Sequence, residues 1–324
     1  MPEVEGLRRF LAGELVGATV ARAELAAFSA LKTFAMPLSS LLGQEVERVE
    51  RRGKFIGIGV DGAWLAFHLA RAGWLRWYDT VPVAPARPGK GPIALRMGFD
   101  PSTGSGQAPS TGSGQAPSTS SGQAPEGLDE GAPLAEPVEA SPIGFDLTEA
   151  GTQKKLAIYV VPRLEDVPGI ATLGADPLAS DFTVDDFGEV LGEHGRTQLK
   201  GVLRDQRIFA GIGNAYSDEI LQAAGLSPFK LAGTLASEDV DRLYSAMRDE
   251  LAGAIERASG LPPKELKDDK RNSMRVHGKK GQPCPTCGTT VAEVSFADSF
   301  LNYCPTCQTG GKILADRRMS KLLK

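Results

Sequence analysis

Cysteine is scarce in this 324-residue chain, and its distribution is uneven. All four cysteines lie between positions 284 and 307, which excludes a disulfide framework spread over the chain and indicates one local metal site in a reducing compartment. No apolar run approaches the roughly 18 residues that span a bilayer, so we expect no membrane partner. The first residues resemble neither a secretion signal nor a transit peptide, so we expect a cytoplasmic protein.

Basic residues are absent from one long block. Residues 101–150 contain seven aspartates and glutamates and no lysine or arginine. Without those seven negative charges the formal net charge of −4 would be +3. Residues 264–324 carry twelve lysines and arginines against six acidic residues. The acidic total therefore conceals a basic C-terminal segment of the kind that contacts phosphates, with a merely solvated charged surface as the alternative.

The same block is poor in apolar residues. Three tandem octapeptides, PSTGSGQA, PSTGSGQA and PSTSSGQA, run from Pro101 to Ala124. Such a sequence cannot bury enough apolar surface to offset its ordering entropy, so residues 101–142 are predicted to be a disordered insertion. The flanking segments ALRMGFD and GFDLTEAG look like two strand ends, which indicates one domain interrupted by an expanded loop.

Hydrophobic periodicity divides the rest of the chain into a β part and a helical part. Short alternating or apolar segments predict strands of a sandwich or barrel: EVERVERRG, KFIGIGVDG, AWLAFHLA, GWLRWYDT, IALRMGFD and KKLAIYVV. Apolar residues at three- and four-residue spacing predict helices: VEGLRRFLAGEL, VDDFGEVLGEH, TQLKGVLRDQ, AYSDEILQAAG and SEDVDRLYSAMRDELAGAIERAS. We therefore expect an α+β multidomain protein with domains at 1–180, 181–262 and 263–324.

The four cysteines form two CPTC motifs separated by sixteen residues. This is the spacing of two knuckles that close a tetrahedral thiolate site on Zn²⁺. Four ligands leave no open coordination position, so one structural ion is predicted, with two redox-active pairs as the alternative. The expected ligands are Cys284, Cys287, Cys304 and Cys307.

The stretch LKGVLRDQRIFAGIGNAYSDEILQAAGLSPF places a Gly-rich turn between two helical patterns. Gly211 and Gly213 would let backbone amides approach a phosphate closely, and Asn214 would open the second helix. A Gly-rich turn alone is a weak signal. This stretch, however, resembles the helix-two-turn-helix of the formamidopyrimidine-DNA glycosylase and endonuclease VIII family, in which this asparagine and neighbouring amides grip the DNA backbone.

The resemblance extends over the chain except for residues 101–142. An N-terminal Pro-Glu, the β segments, the Gly-rich stretch and the four cysteines occur in that family's order. The resemblance implies an N-terminal β-sandwich with flanking helices, a helix-two-turn-helix domain and a C-terminal four-cysteine zinc finger. It also implies a monomer that binds double-stranded DNA containing damaged bases or abasic sites and is thereby associated with the nucleoid.

The implied activity is that of a bifunctional DNA repair enzyme, a glycosylase for oxidised or ring-opened bases that also cleaves the strand as an abasic-site lyase. Pro2, exposed by removal of Met1, would form a Schiff base with the sugar, and its amine would titrate near pH 8. Glu3 would serve as acid and base on the sugar. Lys54, from RRGKF, would hold a phosphate.

The N-terminus fits two registers of the family. The endonuclease VIII pattern, PE followed by three residues, one apolar residue and RR, fits PEVEGLRR without a gap. The formamidopyrimidine-type start PELPEVE would fit only with its first three residues missing, and the nucleophile would then be absent. The alternative function is therefore a non-catalytic or weakly catalytic binder of damaged or abasic DNA with the same fold.

Several DNA-contacting positions depart from the family. Arg71 stands where a Met often fills the gap left by the extruded base, and Ser299 replaces an arginine of the finger. The wedge loop is replaced by TQKKLA. The residues that could substitute in binding DNA are Lys154, Lys155, Leu156, Arg275, Lys279, Lys280 and Lys312.

Other polar and aromatic residues are assigned to the structure. His68 is interpreted as a core or strand-end residue, and His194 and His277 form no pattern with the cysteines. Arg51 and Arg52 are interpreted as surface residues or phosphate contacts. The three tryptophans, Trp64, Trp74 and Trp77, are assigned to the sandwich core.

Overall fold

Two four-stranded antiparallel sheets form the N-terminal part of the protein. The computed structural model describes residues 2–89, 91–101, 142–150, 154–296 and 299–315. The strands are β1 Thr19–Leu25, β2 Arg48–Arg52, β3 Phe55–Val60, β4 Ala63–His68, β5 Gly73–Tyr78, β6 Ile93–Asp100, β7 Ile143–Glu149 and β8 Ala157–Val161. Their order is β1-β6-β7-β5 in one sheet and β2-β3-β4-β8 in the other. This sandwich confirms the expected fold class.

The strands on either side of the octapeptide insertion are neighbours. β6 and β7 pair in antiparallel register from Ile93 and Thr148 to Phe99 and Ile143. The two flanking segments therefore form one hairpin, as their sequences indicated. The octapeptides themselves lie outside the described residues.

Apolar side chains fill the space between the two sheets. Phe67, Phe99 and Phe145 are fully buried there. The ring centroid of Phe145 lies 6.1 Å from that of Phe67 and 5.9 Å from that of Phe99. Alternation along each strand directs these residues inward, so the core follows from the periodicity of the sequence.

Eight α-helices are found in the described residues. Their bounds are α1 Pro2–Leu15, α2 Pro168–Ala171, α3 Val184–Glu193, α4 Leu199–Arg204, α5 Asn214–Ala223, α6 Ser237–Ala258, α7 Leu266–Ser273 and α8 Pro305–Thr309. A capping box formed by Thr183 and Asp186 starts α3. The α4–turn–α5 segment contains the Gly-rich stretch, which confirms the expected helix-two-turn-helix.

Helix α1 joins the sandwich to the helical domain. Leu7, Leu11 and Leu15, spaced at one helical turn, are fully buried. On another side of the helix, a Cβ added to Gly6 would lie 3.0 Å from Leu266 and 3.1 Å from Ala258. The first helix therefore packs closely against the end of α6 and the start of α7, and this contact positions the chain start relative to α5.

The C-terminal segment forms a small hairpin and a short helix around the cysteines. Strands β9 Ala292–Ser295 and β10 Phe300–Tyr303 pair antiparallel, and α8 follows. A small apolar cluster accompanies them, with Val276 and Val291 at its centre. Such a cluster is too small to stabilise a fold by itself, so the metal site carries much of the structure of this segment.

Several elements were not anticipated from the sequence, among them β1 and α7. Strand β1 is an edge strand whose residues are mostly half-buried, so its alternation is weak. Helix α7 buries only Leu266 among its eight residues and therefore has no apolar stripe. Within the described ranges, no helix is both long and apolar enough to cross a membrane.

Candidate active site and nucleic-acid interface

A cavity of about 590 Å³ lies between the sandwich and the helical domain. Its walls come from the start of α1, the β2–β3 turn, the segment after β4, the turn before α5, and α7. Of the described residues that line it, five are lysine or arginine and one, Glu3, is acidic. Pro2 is buried at the first position of α1, next in the chain to Glu3. The cavity is therefore suited to an anionic ligand.

Glu3 is buried, and two side chains from distant helices meet its Oε1 atom. The Tyr216 hydroxyl donates a 2.9 Å hydrogen bond from α5, and the Lys270 ammonium lies 3.1 Å away on α7. Burial raises the pKa of Glu3, but the charges of the amino terminus and Lys270 and the bond from Tyr216 outweigh it and hold that pKa below its usual value. Glu3 is therefore an ionised carboxylate at neutral pH.

Lys54 enters the cavity from the tight turn between β2 and β3. Its Nζ donates a 2.9 Å hydrogen bond to the carbonyl oxygen of Ile212, in the turn before α5. Burial and the positive charges of Lys270 and Arg204 lower the pKa of Lys54 to about 8, although Glu3 opposes this shift. An anionic ligand would stabilise the protonated form of Lys54, because a nearby phosphate would raise its pKa again.

His68, at the end of β4 as expected, also lines the same cavity. The backbone N–H of Ala70 donates to His68 Nδ1 at 3.1 Å, so the neutral ring carries its proton on Nε2. Burial and the nearby Lys54 lower the pKa of His68 to about 4. His68 is therefore a neutral hydrogen-bond donor at physiological pH. Arg71, exposed after the left-handed Ala70, also lines the cavity.

The Gly-rich turn has a different internal structure from the one expected. The N–H of Gly211 donates to Gln206 Oε1 at 2.9 Å, and Gln206 Nε2 donates to the Ile212 carbonyl at 2.7 Å. The Gly211 amide is therefore used within the turn, and its glycine is required by a φ of 94°. At Gly213, which lines the cavity, an added Cβ would lie 3.3 Å from Lys54 Nζ.

Asn214 lies at the cavity wall where the turn meets the zinc finger. Its Nδ2 donates a 2.8 Å hydrogen bond to the carbonyl oxygen of Phe300, the residue after Ser299. Its buried Oδ1 has no hydrogen-bond partner among the described residues. The finger backbone thus orients the asparagine that the sequence singled out.

A group of buried charges joins α5 to the finger. Asp218 accepts from the Lys200 ammonium and from the N–H of Asn302, and its Oδ2 lies 2.7 Å from His277 Nδ1. Glu219 accepts backbone N–H bonds from residues 275, 276 and 277 at 2.7, 3.0 and 2.8 Å. We call these six residues the α5–finger joint: Lys200, Asp218, Glu219, Arg275, His277 and Asn302. His277 also lines the cavity and stacks on Phe300.

The four cysteines come together as expected. Their Sγ atoms all lie within 4.8 Å of one another, with 3.3 Å between Cys287 and Cys304 and 4.0 Å between Cys284 and Cys307. A tetrahedral site with Zn–S bonds of about 2.3 Å needs sulfur separations of about 3.8 Å. The donor set and the spacing therefore fit one structural zinc ion. Gln222 of α5 donates to Thr286 Oγ1 at 2.9 Å, which ties this knuckle to the helical domain.

Other expected DNA contacts lie away from the cavity wall. Lys154 lines a separate small pocket beside Pro92, and Lys155 is exposed near it. Lys279 lines a shallow basic groove that adjoins the cavity through Lys267, Lys270 and His277. Arg275 makes ion pairs with Glu219 at 3.5 Å and with Glu250 at 2.6 Å.

Two sequence interpretations need correction. Arg51 is not a surface residue: it bridges Glu5 at 3.0 Å and Asp176 at 2.9 Å, and its side chain is 11% exposed. Trp74 is only partly core, because it lines the cavity, donates to the Pro263 carbonyl and lies 4.5 Å beneath the Lys267 ammonium. Burial in each case depends on a partner distant in sequence.

Sequence analysis missed several residues of the site. Tyr216, Lys270, Gln206 and His277 take part in it, and none was singled out for a functional role. Tyr216 could have been noticed because it follows Asn214 by two residues at the start of α5. Lys270 offered no such signal, since α7 itself was not expected.

Comparisons with known proteins agree with this geometry. Three family models match: the formamidopyrimidine-DNA glycosylase N-terminal domain over residues 1–106, the formamidopyrimidine-DNA glycosylase H2TH domain over 173–262, and the zinc finger found in FPG and IleRS over 281–310. Formamidopyrimidine-DNA glycosylase of Symbiobacterium thermophilum is 30% identical over 332 residues, covering 98% of this chain and 92% of the relative. The three domain models occur in the order expected from the sequence.

Further relatives cover part of the chain or resemble its fold. An uncharacterized formamidopyrimidine-DNA glycosylase-like protein of Mycobacterium tuberculosis is 52% identical over 158 residues, which is 48% of this chain and 98% of the relative. The crystal structure of the MutM (Fpg) protein from Thermus thermophilus superposes with a TM-score of 0.70 at 26% identity, covering 97% of this chain and 99% of that one. Lactococcus lactis Fpg bound to DNA containing an abasic site has the same fold, with a TM-score of 0.71 at 23% identity, covering 95% and 99%.

The fold and site define a three-part protein in which a β-sandwich, a helix-two-turn-helix and a four-cysteine finger surround one cationic cavity. The chain belongs to the formamidopyrimidine-DNA glycosylase family.

Proposed function

We propose that this protein is a DNA glycosylase that removes oxidised or ring-opened bases and cleaves the strand at the resulting abasic site, with Pro2 as nucleophile. The observation that carries the proposal is the convergence of Glu3, Lys54, Tyr216 and Lys270 on one cavity next to the start of α1. An amine nucleophile needs a carboxylate nearby to move protons, and a cation to hold the strand. This cavity offers both.

The chemistry follows from the positions of these groups. The Pro2 nitrogen, freed by removal of Met1, would bond to the sugar C1′ while the bond from C1′ to the damaged base breaks. Opening of the sugar ring would yield the iminium, and Glu3, ionised in the free protein, would exchange the protons that these steps require. The start of α1 assists, because the positive end of a helix favours an unprotonated amine.

The cationic groups of the cavity would hold the phosphodiester backbone. Lys54 would supply the charge nearest the reacting sugar, and His68 would add a neutral N–H donor. Asn214, which the finger orients, would donate the second N–H of its side-chain amide to a phosphate oxygen. The zinc ion would keep that finger folded. Because binding depends on cation–phosphate contacts, the Kd for duplex DNA is expected to rise steeply with salt.

Borohydride trapping on a duplex with an abasic site tests the nucleophile. Borohydride reduces an iminium to a stable amine, so the protein with Pro2 at its mature start should become covalently linked to the DNA. Intact-mass measurement first verifies the loss of Met1. We expect a reduced yield from Pro2→Gly, which keeps an amine but loses the ring.

A matched control blocks the amine and leaves every residue in place. A form with a short N-terminal extension should bind the abasic duplex and give no adduct. An equal adduct yield from the extended form would exclude Pro2 as the nucleophile. Tight binding without any adduct from the mature protein would instead favour a non-catalytic binder of abasic DNA.

The location, the oligomeric state and the lesion preference of the protein stay predictions. We propose that the protein acts in the cytoplasm as a monomer that reaches damage through its affinity for duplex DNA. Arg71, in place of an apolar side chain, is proposed to contact the strand opposite the extruded base. An incision panel over oxidised purines, oxidised pyrimidines and abasic sites, each opposite all four bases, would define the lesion and opposite-base preference.

A further inference from the structure

Lys270 makes a contact that neither the sequence nor the proposed chemistry requires. It lies on α7, between the helix-two-turn-helix and the finger, yet its Nζ is 3.1 Å from Glu3 Oε1 at the start of the chain. The same Nζ lies 5.2 Å from the ring centroid of Tyr216, and the Tyr216 hydroxyl donates to the same Oε1 atom. One carboxylate oxygen therefore receives two donors from two helices.

From this arrangement we propose that Lys270 is a positioning residue for Glu3, which holds the carboxylate in place with Tyr216 and sets the pH range in which the cavity is competent. The inference rests on the proposed function, because it assigns a role toward Glu3 as a proton-exchanging group. Lys270 itself need not touch the DNA sugar.

The geometry limits what else could play this role. Among the described residues, the charged and titratable groups facing Glu3 include Tyr216 on α5, Lys270 on α7 and Lys54 from the β2–β3 turn, together with the charge of the amino terminus. Tyr216 stays neutral, since burial and Glu3 raise its pKa far above the usual value. The amino terminus and Lys54 are assigned to the reaction and to the phosphate. Lys270, 3.1 Å from Glu3 Oε1 and assigned to neither, can hold the carboxylate throughout a turnover.

The charge of Lys270 affects the pKa of Lys54 as well as that of Glu3. Its positive charge lowers the pKa of Glu3 and also lowers that of Lys54. The reaction requires an unprotonated Pro2 amine, an ionised Glu3 and a protonated Lys54. The Pro2 amine therefore sets the acid limb of the pH profile, and Lys54 sets the alkaline limb. Removing the Lys270 charge raises the pKa of Glu3 and that of Lys54. The alkaline limb should therefore move to higher pH, and so should the titration of Glu3 itself.

The closing experiment compares pH profiles of single-turnover excision by the wild type, Lys270→Met and Lys270→Arg. We expect Lys270→Met to move the alkaline limb upward by up to about one pH unit, because a like charge that lowers the pKa of Lys54 is lost. Lys270→Arg, which keeps the charge, should restore the wild-type profile. Its side chain is about one-third exposed, so we expect both variants to fold.

Lys267 supplies a matched control on the same helix. It also lines the cavity, but its ammonium lies over Trp74 and it is not among the groups that shift Glu3 or Lys54. Lys267→Met should weaken duplex binding about as much as Lys270→Met while leaving both limbs in place. An equal shift in the two methionine variants would mean that the loss of any positive charge in the cavity has the same effect. That result would overturn the assignment of Lys270 as the positioning residue for Glu3.

A second readout separates this inference from the proposed function. Carbon-detected NMR of the Glu3 carboxyl in the DNA-free protein should show its titration moving to higher pH in Lys270→Met. That measurement needs no activity. If the wild type forms no trapped adduct, the proposed function fails while the titration still tests the contact. An unchanged Glu3 titration, or unchanged limbs in an active enzyme, would overturn the role of Lys270.

Discussion

The core of the β-sandwich and the two carboxylates of the α5–finger joint are equally buried, but they are held by opposite kinds of contact. In the sandwich, Phe67, Phe99 and Phe145 have no exposed surface and contact other apolar side chains. In the joint, Asp218 and Glu219 are 1% and 2% exposed and are held by charged side chains and backbone N–H groups. Apolar contacts are non-directional, whereas a buried charge tolerates few arrangements. The sandwich core therefore mainly stabilises the fold, whereas the joint mainly fixes the position of the finger relative to α5.

This difference explains how the finger influences a cavity that it only borders. The joint fixes β10 relative to α5, and the carbonyl of Phe300 then orients Asn214. A finger bound by apolar contacts alone could slide by an ångström at little cost. Buried carboxylates do not allow this, because each displaced partner would leave an unpaired charge.

Among the experiments that compare the two regions, removal of zinc should give the largest difference between them. The finger has a small apolar cluster, and structural zinc sites contribute on the order of 10 kcal/mol to folding. We expect chelation to melt the finger and to raise the Kd for duplex DNA by about two orders of magnitude or more, while the sandwich stays folded. All three tryptophans lie in β4 and β5 and none in the finger, so their fluorescence reports the sandwich and its border with α7. Simultaneous loss of the tryptophan signal would contradict the separation.

Phe67→Ala should damage the sandwich and spare the joint. Truncating a fully buried phenylalanine leaves a cavity and should lower the free energy of unfolding by about 3–5 kcal/mol. Urea denaturation followed by tryptophan fluorescence measures this loss. At low denaturant the affinity for duplex DNA should stay within about twofold of the wild type. Phe34→Ala is the control: Phe34 is 81% exposed, so its truncation should cost less than about 0.5 kcal/mol.

Glu219→Gln should damage the joint instead. The amide replaces one accepting oxygen by an NH₂ group facing backbone N–H donors, so we expect a loss of about 2–3 kcal/mol and weaker DNA binding. Glu250→Gln, at the part-exposed end of the Arg275 pair, should cost about 1 kcal/mol or less. The comparison uses urea denaturation and duplex titrations of both variants. Equal DNA affinities for them would show that the joint does not position the finger.

The cavity lies between the two regions, and a pH experiment can test the protonation state of Lys54 there. The Lys54 pKa of about 8 means that the free protein loses this proton as pH rises above that value, whereas a bound phosphate favours the charged form. Duplex binding at pH 9 should therefore take up a proton. Calorimetry in buffers of different ionisation enthalpy measures this uptake, which Lys54→Arg should abolish. Lys264→Arg, at a side chain 81% exposed, should leave it unchanged.

Sequence reasoning succeeded where the signal was local. The strands around Phe67 and Phe145, the helices on either side of the Gly-rich turn and the Cys284–Cys307 zinc site all follow from spacing within short segments. It failed at α7, where a single buried residue, Leu266, among charged and polar neighbours produces no apolar periodicity. It also failed at Arg51, whose sequence context of charged neighbours gave no sign that Glu5 and Asp176 would enclose it.

By itself the sequence determined the class of fold through periodicity and the thiolate metal site through spacing, and its resemblance to the family implied the proposed reactive trio of Pro2, Glu3 and Lys54. Only the tertiary structure decided the chemical state of those groups. Tyr216 and Lys270 reach Glu3 from more than two hundred residues away, and Ile212 meets Lys54 across 158 residues. A carboxyl or an amine responds to the charges and burial within a few ångströms of it, and long-range packing of helices and sheets sets that environment.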